Sequence, residues 1–306
     1  MLEILLALVL IVVTALAWQQ RRYLRIRRYS AQDRQRFWHA SDTFHVMVFF
    51  KIHSGDKVVD IIRYFLELLQ ANSVARLIYA GQAACTVHSK QLGNCDWDGV
   101  VLLEYPSRTH YQDSFAAGHI ALARQCFADS YLHGMRRNRR RNLTIPWFLL
   151  RRRCKDILLG KWRVERLEPS PVYATFPEYQ IWRTREARLR AFGAINREGL
   201  VVYSLVKRGD PEQEANDALF DQQMASRMAA LRHGPLHMGR PVALENLARF
   251  DQALAIHYPS ADYFADLLGS QFFRDIAASR QSGDYLAVFT IPITDRLDVY
   301  TRGTLQ

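Results

Sequence analysis

An eleven-residue stretch occurs twice in this chain, and it constrains the fold more than anything else in the sequence. Trp97-Asp98-Gly99-Val100-Val101-Leu102-Leu103-Glu104-Tyr105-Pro106-Ser107 returns 153 residues later as Phe250-Asp251-Gln252-Ala253-Leu254-Ala255-Ile256-His257-Tyr258-Pro259-Ser260. Both copies read aromatic-Asp, an apolar run, then Tyr-Pro-Ser. Such a run predicts a buried strand ended by proline, with the serine placed to cap a helix.

Other landmarks recur around each copy in the same order. Val46–Ile52 followed by Gly55-Asp56 matches Leu200–Val206 followed by Gly209-Asp210. Each reads as a strand, a glycine turn and an aspartate N-cap, and Pro211 suits a first helical position. Val58, Ile61, Ile62, Phe65, Leu66 and Leu69 share one helical face, as do Phe220, Met224, Met228 and Leu231. Second strands are expected near Arg76–His88 and Leu236–Asn246, with early glycines Gly81 and Gly239. Second helices follow near 111–132 and 263–280, and both halves are read as closing on Thr-Ile-Pro, at Thr144–Pro146 and Thr290–Pro292.

The order β-α-β-β-α-β, twice, is the split βαβ pattern. With a glycine in strand two and Glu104-Tyr105-Pro106-Ser107 closing strand three, the chain resembles the dimeric α+β barrel (ferredoxin-like) superfamily. Within it, the chain is similar to small uncharacterised domains with a Glu-Phe/Tyr-Pro-Ser signature. The resemblance covers residues 43–150 and 199–294 and departs in the second half, where His257 replaces Glu104. It implies an α+β fold of two tandem ferredoxin-like (βαββαβ) domains forming an intrachain pseudo-dimer, and relatives that include oxygenases, isomerases and haem-handling enzymes.

Ahead of these domains, Ile4–Trp18 is fifteen residues without a charge, followed by Arg21, Arg22, Arg25, Arg27 and Arg28. A spanning helix prefers roughly 20 residues. Still, the arginines favour an uncleaved N-terminal transmembrane helix with the body in the cytoplasm, and a cleaved signal peptide is disfavoured by Glu3 and an n-region without Lys or Arg. The segments are then 1–20 anchor, 21–42 basic juxtamembrane segment, 43–150 first domain, 151–198 basic helix and proline-containing linker, and 199–306 second domain.

The net charge of +11 sits in two patches. Residues 19–40 carry +6 and residues 134–166 carry +10, which leaves the rest of the chain at −5. Arg136, Arg137, Arg139, Arg140 and Arg141 read as an insertion ahead of Thr144–Pro146. With Trp147 and Phe148 they have the composition of an interfacial contact, so that Arg21, Arg22, Arg25 and this run would touch anionic lipid of the inner leaflet. A solvated arginine face is the plainer alternative. Nucleic acid is disfavoured by the anchor and the acidic body; a homo-oligomer is left open.

The chemistry is less legible. Cys85, Cys95, Cys126 and Cys154 have no zinc spacing and read as reduced thiols. His233 and His237 are separated by Gly234-Pro235, which breaks any helix that would align them. No cofactor signature is present, so the cofactor is unknown. On strand one His45, Met47, Phe49, Lys51 and His53 alternate with Phe44, Val46, Val48, Phe50 and Ile52; the apolar set should face helices and the mixed set the space between sheets. Glu104, His257 and His53 are therefore the candidate catalytic groups. Walled by Val101, Leu103 and Leu254, Glu104 is expected to keep its proton towards neutral pH. Two functions are carried forward: a membrane-tethered small-ligand-binding or scaffolding protein, and an enzyme of the dimeric α+β barrel type, oxygenase- or isomerase-like, acting on a small apolar substrate between the sheets.

Overall fold

The computed structural model describes residues 2–26, 43–137 apart from 72, single positions and short runs within 147–160, and 199–297 apart from 232–233, 246–247, 259, 278 and 281–282. After an N-terminal helix α1 (Leu2–Ile26), the first half runs β1 (Phe44–Lys51), α2 (Val58–Gln70), β2 (Arg76–Val87), β3 (Gly99–Tyr105), α3 (Arg108–Ala116), α4 (His119–Arg124) and β4 (Asp129–Arg137). The second runs β5 (Leu200–Lys207), α5 (Pro211–Leu231), β6 (Gly234–Ala243), β7 (Gln252–Tyr258), α6 (Ala261–Leu268), α7 (Gln271–Ala277) and β8 (Asp284–Pro292), then a 3-10 turn, Thr294–Leu297.

The eight strands form one closed antiparallel barrel in the order β1-β3-β2-β8-β5-β7-β6-β4. The first half supplies β4-β1-β3-β2 and the second β8-β5-β7-β6, the same pairing order in each. Each half thus has two sheet edges, and closing the ring at β2–β8 and β4–β6 satisfies all four.

The strand faces divide as the alternation on β1 predicts. Phe44, Val46, Val48 and Phe50 pack with Ile62, Phe65, Leu66 and Leu69 of α2 outside the barrel. Met47 and Phe49 turn inward among Tyr79, Leu102, Tyr131, Met135 and Tyr203. On the far side Phe264, Leu267 and Phe273 cover Val202 and Phe289. At about 25 cal/mol per Å2 of apolar surface removed from water, such two-sided burial is what holds these strands in register.

The repeated stretch does equivalent work twice. Asp98 Oδ2 accepts the Ile52 N–H (3.0 Å) while the Asp98 N–H donates to Phe50 O (2.9 Å). In the second half Asp251 Oδ2 accepts from Arg208 N (2.9 Å) and its own N–H donates to Val206 O (2.8 Å). Ser107 Oγ accepts from His110 N and Ser260 Oγ from Tyr263 N, so both serines cap helices. Tyr105 meets Tyr111 edge-on and Tyr258 meets Phe264, each tying a strand end to the helix that follows.

The glycines of the second strands sit at the two seams. A Cβ on Gly81 would lie 2.8 Å from Thr290 Cβ of the other half, and one on Gly239 would lie 2.6 Å from Arg136 O. Neither position leaves room for a side chain.

Several expectations are corrected. Asp56 does not cap α2: the N-cap position is Lys57, without a side-chain cap bond. Asp210 does cap α5, accepting from Glu212 N and Gln213 N while Gln213 Oε1 accepts from Asp210 N. The second helix of each half is two short helices; Gly118 (φ 76°) starts the second piece in the first half, and residues 129–132 are strand. Thr144–Pro146 lies outside the described residues and is not the counterpart of Thr290. Register equates Thr290, opposite Val201, with Met135, opposite His45. The basic run therefore begins inside the last strand of the first half, at Arg136 and Arg137, rather than preceding that strand.

Among the described residues, no helix is long and apolar enough to cross a membrane, so the expected transmembrane helix is not found. The chain there forms α1, whose apolar side chains are exposed, Ile4 and Leu10 at 66% each. Arg139, Arg140, Arg141, Phe148 and the linker 161–198 lie outside the described residues. Arg136 and Trp147 are exposed.

Candidate functional site

Because every neighbour in the ring is antiparallel, β3 and β7, four steps apart, run the same way on opposite walls. Glu104 and His257 occupy equivalent positions near their C-terminal ends and belong to the inward-facing sets of their strands. They therefore face each other across the same end of the barrel, called here the lower end; Phe44 and Leu200 begin their strands at that rim.

At the lower end the first half builds a polar ladder. His45, Glu104 and Arg76 are direct register partners on β1, β3 and β2. Glu104 Oε2 lies 3.0 Å from His45 Nε2, and Arg76 Nη2 donates to Glu104 Oε1 at 2.5 Å. His45 is fully buried, Glu104 13% exposed and Arg76 41% exposed. One carboxylate thus bridges an imidazole and a guanidinium, with a polar partner on each oxygen. This corrects the aliphatic-wall picture: Leu254 lies on the outward set of β7, and Val101 and Leu103 pack with α2 outside. In the second half the counterparts of His45 and Arg76 are Val201 and Gly234, so among these three register positions His257, 4% exposed, is the one that repeats the polarity.

His53 is not part of this set. It is exposed beyond the end of β1, in the turn where its carbonyl accepts from Asp56 N, at the opposite end of the barrel.

Further polar groups line the middle. Tyr79 Oη is 2.7 Å from Thr290 Oγ1, which donates to Val201 O at 2.8 Å across the β5–β8 ladder. Tyr203 stacks tilted against Tyr79 at 5.1 Å. Burial raises the pKa of both phenols, so they stay neutral hydrogen-bonding groups. His133 Nδ1 is 3.0 Å from Tyr131 Oη, and burial lowers the imidazole to about 4, keeping it uncharged.

The upper end is plugged. Trp97 and Phe250, the aromatics that open the two repeats, are each 6% exposed and lie against Phe49 and His133 respectively. Each loop that carries one is fastened to the other half. Asp284 accepts from Ser89 Oγ, Lys90 N and Gln91, and Glu245 accepts from Arg124 Nη1 and Leu132 N. The polar lower end is accordingly the end at which chemistry is placed.

Among the described residues no group of His, Cys, Asp and Glu is arranged to hold a metal ion, and the four cysteines are free. Glu104 and His257 were legible from the repeat. His45, Arg76 and His133 were not singled out, because the groups that meet them come from strands distant in sequence; the mixed face of β1 was the available signal for His45.

No family model matches the chain and no curated protein matches it. Solved structures similar to it include a chlorite dismutase variant from Candidatus Nitrospira defluvii, 8% identical, covering 88% of this chain and 100% of that one with a TM-score of 0.47. A protein described as a candidate monooxygenase from Fusobacterium nucleatum is 7% identical, covering 83% and 94% with a TM-score of 0.43. A second so described, from Lactobacillus acidophilus, is 8% identical over 82% and 94%, with a TM-score of 0.41. At these values the likenesses assign this chain no chemistry; what its own coordinates establish is a mixed α+β fold built on an eight-stranded antiparallel barrel.

Proposed function

We propose that the chain is an intrachain pseudo-dimer of two ferredoxin-like units, of the dimeric α+β barrel type, attached to the inner membrane with its body in the cytoplasm. We further propose that the lower end of the barrel is an acid–base site for a small, largely apolar substrate. The observation that carries this reading is the placing of unlike proton-carrying groups at equivalent points of the two halves: Glu104, braced by His45 and Arg76, across from His257. A packed strand gains nothing from burying a carboxylate there, and compensated ionisable groups in a concave apolar setting are where acid–base work is done.

On this reading Arg76 fixes one oxygen of Glu104 and His45 fixes the orientation of the other. Glu104 accepts a proton from a substrate seated below Leu102 and Met47, His257 gives one from the opposite wall, and the proton left on Glu104 passes back to His257 through solvent at the lower rim before the next turnover. The reaction class is proton transfer within one substrate, as in an isomerisation. No cofactor is assigned. Membrane attachment is supported by the exposed apolar surface of α1 and the arginines on its last turns. The partners are anionic lipid and a small molecule; nucleic acid is not proposed.

A specific observation favours the second reading in its scaffolding form, a pseudo-dimer that holds no ligand in its interior. The interior is filled by large side chains, with Met47, Phe49, Tyr79, Tyr131, Met135 and Tyr203 all at most 1% exposed. The test is a ligand-observed NMR screen of small aromatic carbonyl fragments against the full chain in lipid nanodiscs. The enzyme reading expects hits that disappear in Glu104→Gln and in His257→Gln. Hits indifferent to both substitutions, in variants that remain folded, return the protein to the scaffolding reading.

A further inference from the structure

We infer that the lower end of the barrel docks on an anionic bilayer through an opposed arginine pair, Arg136 and Arg240, and that the site takes as its ligand a bilayer-dissolved amphiphile. This rests on the acid–base reading of the lower end.

Arg136 and Arg240 are direct register partners across the β4–β6 seam. Both are exposed, and the two-residue alternation puts them on the outer face with Gly134 and Val242. Like charges directly opposite one another weaken a sheet. Among the described residues neither arginine is paired with a carboxylate. Two guanidiniums at neighbouring-strand spacing suit a phosphate ester, which each can meet with a fork of N–H donors.

The lower end is also where the outside segments join the barrel. The chain arrives from α1 at Phe44, leaves into the arginine run at Arg137, and returns at Leu200. Arg108 is exposed at the same rim, where α3 follows β3. The upper end instead mixes Asp56, Asp129 and Asp210 with Lys51 and Lys90. Trp147, Leu158 and Leu159 are 52%, 85% and 61% exposed in the segment that leaves from Arg137, giving that segment apolar side chains to bury at an interface. The exposed Arg136, Arg240 and Arg108, with the chain's exit towards those apolar side chains, therefore select the lower end as the lipid-facing one. A ligand leaving the bilayer there meets Arg76, Glu104 and His45 first, with its apolar part directed at Met135 and Val201.

The experiment uses the full chain in nanodiscs of brominated phospholipid, with or without phosphatidylserine, in a Cys95→Ser/Cys154→Ser background that leaves only the buried Cys85 and Cys126. A bimane is attached at Arg108→Cys on the lower end or at Lys90→Cys on the upper. Quenching is expected at 108 and not at 90, on anionic discs. Arg136→Gln with Arg240→Gln should lower the docked-to-free ratio about 30-fold, the effect of two basic residues at a charged surface. Equal quenching at the two sites, or quenching at 108 that ignores the double substitution, overturns the docking. For the ligand class, a stearate spin-labelled near its methyl end and dissolved in the disc should broaden the methyl signals of Met135 and Val201; unbroadened methyls overturn the bilayer supply. The fragment screen is read in the same samples. Glu104-dependent binding without docking sinks this inference alone, and docking without Glu104-dependent binding sinks the acid–base reading alone.

Discussion

Replacing Gly81 by alanine puts a methyl group where the two halves of the barrel meet. The new Cβ would clash with Tyr79 Oη and stand 2.7 Å from Tyr79 Cε1 and 2.8 Å from Thr290 Cβ. Relief requires the phenol to move, which breaks its 2.7 Å hydrogen bond to Thr290 and leaves a buried hydroxyl unpaired. Overpacking costs about 1–3 kcal/mol and the orphaned polar group about 1–3 kcal/mol more, so Gly81→Ala should destabilise by roughly 2–6 kcal/mol. At about 2–4 °C per kcal/mol for a body of this size, the Tm falls by roughly 4–24 °C. The assay is chemical denaturation backed by calorimetry, run as a double-mutant cycle with Tyr79→Phe. Removing the hydroxyl takes away both the sharpest contact and the bond at risk, so the double variant should lose less than the two single losses combined. A Gly81→Ala protein within about 0.5 kcal/mol of the parent, the range of an ordinary surface change, would mean that β2 and β8 are not packed as described.

Three further expectations follow from the same geometry. Asp98→Ala and Asp251→Ala each free a backbone N–H at a strand end, of Ile52 and of Arg208, and should each cost about 1–3 kcal/mol by urea denaturation; a large loss at one and none at the other would break the equivalence of the repeats. His133 is held neutral by burial, with its pKa lowered to about 4 from an unfolded value near 6.5. The unfolded chain binds the proton first, so stability should fall as pH drops from about 6.5 to about 4, by about 3 kcal/mol, and His133→Phe should remove that part of the slope; a variant with the parent's pH profile would refute it. Deleting residues 2–26 should release the protein from membranes into the soluble fraction at high salt; a deletion variant still bound there would assign attachment elsewhere.

The sequence carried the barrel further than it carried the site. Gaps between landmarks were long enough to fix β-α-β-β-α-β twice, because burial on two faces forces apolar runs that are visible one strand at a time. Seam glycines Gly81 and Gly239 showed as a repeated oddity, but their reason, the approach of Thr290 or Arg136 from the other half, is a contact between distant residues. The same limit explains Glu104. Its position was legible, but its partners His45 and Arg76 lie 59 and 28 residues away and meet it only through register. Its sequence neighbours Val101 and Leu103 are not its walls, because alternation sends them to the other face. Thr144–Pro146 misled because a three-residue match outweighed strand register. In Asp56 and Asp210 the same residue after the same glycine caps only in the second half, where Gln213 completes the box and Pro211 starts the helix.

The central claim is that the interior at the Glu104–His257 end is the site. Methyl-labelled full-length protein in nanodiscs, titrated with the strongest fragment from the screen, tests it directly. Shifts are expected only in the lower interior, at Val201, Met135 and Met47, and should vanish in Glu104→Gln. Shifts at Val100, Leu205 and Leu286 around the plugged end, or only at outer-face methyls such as Val101 and Leu103 beneath the helices, would contradict it.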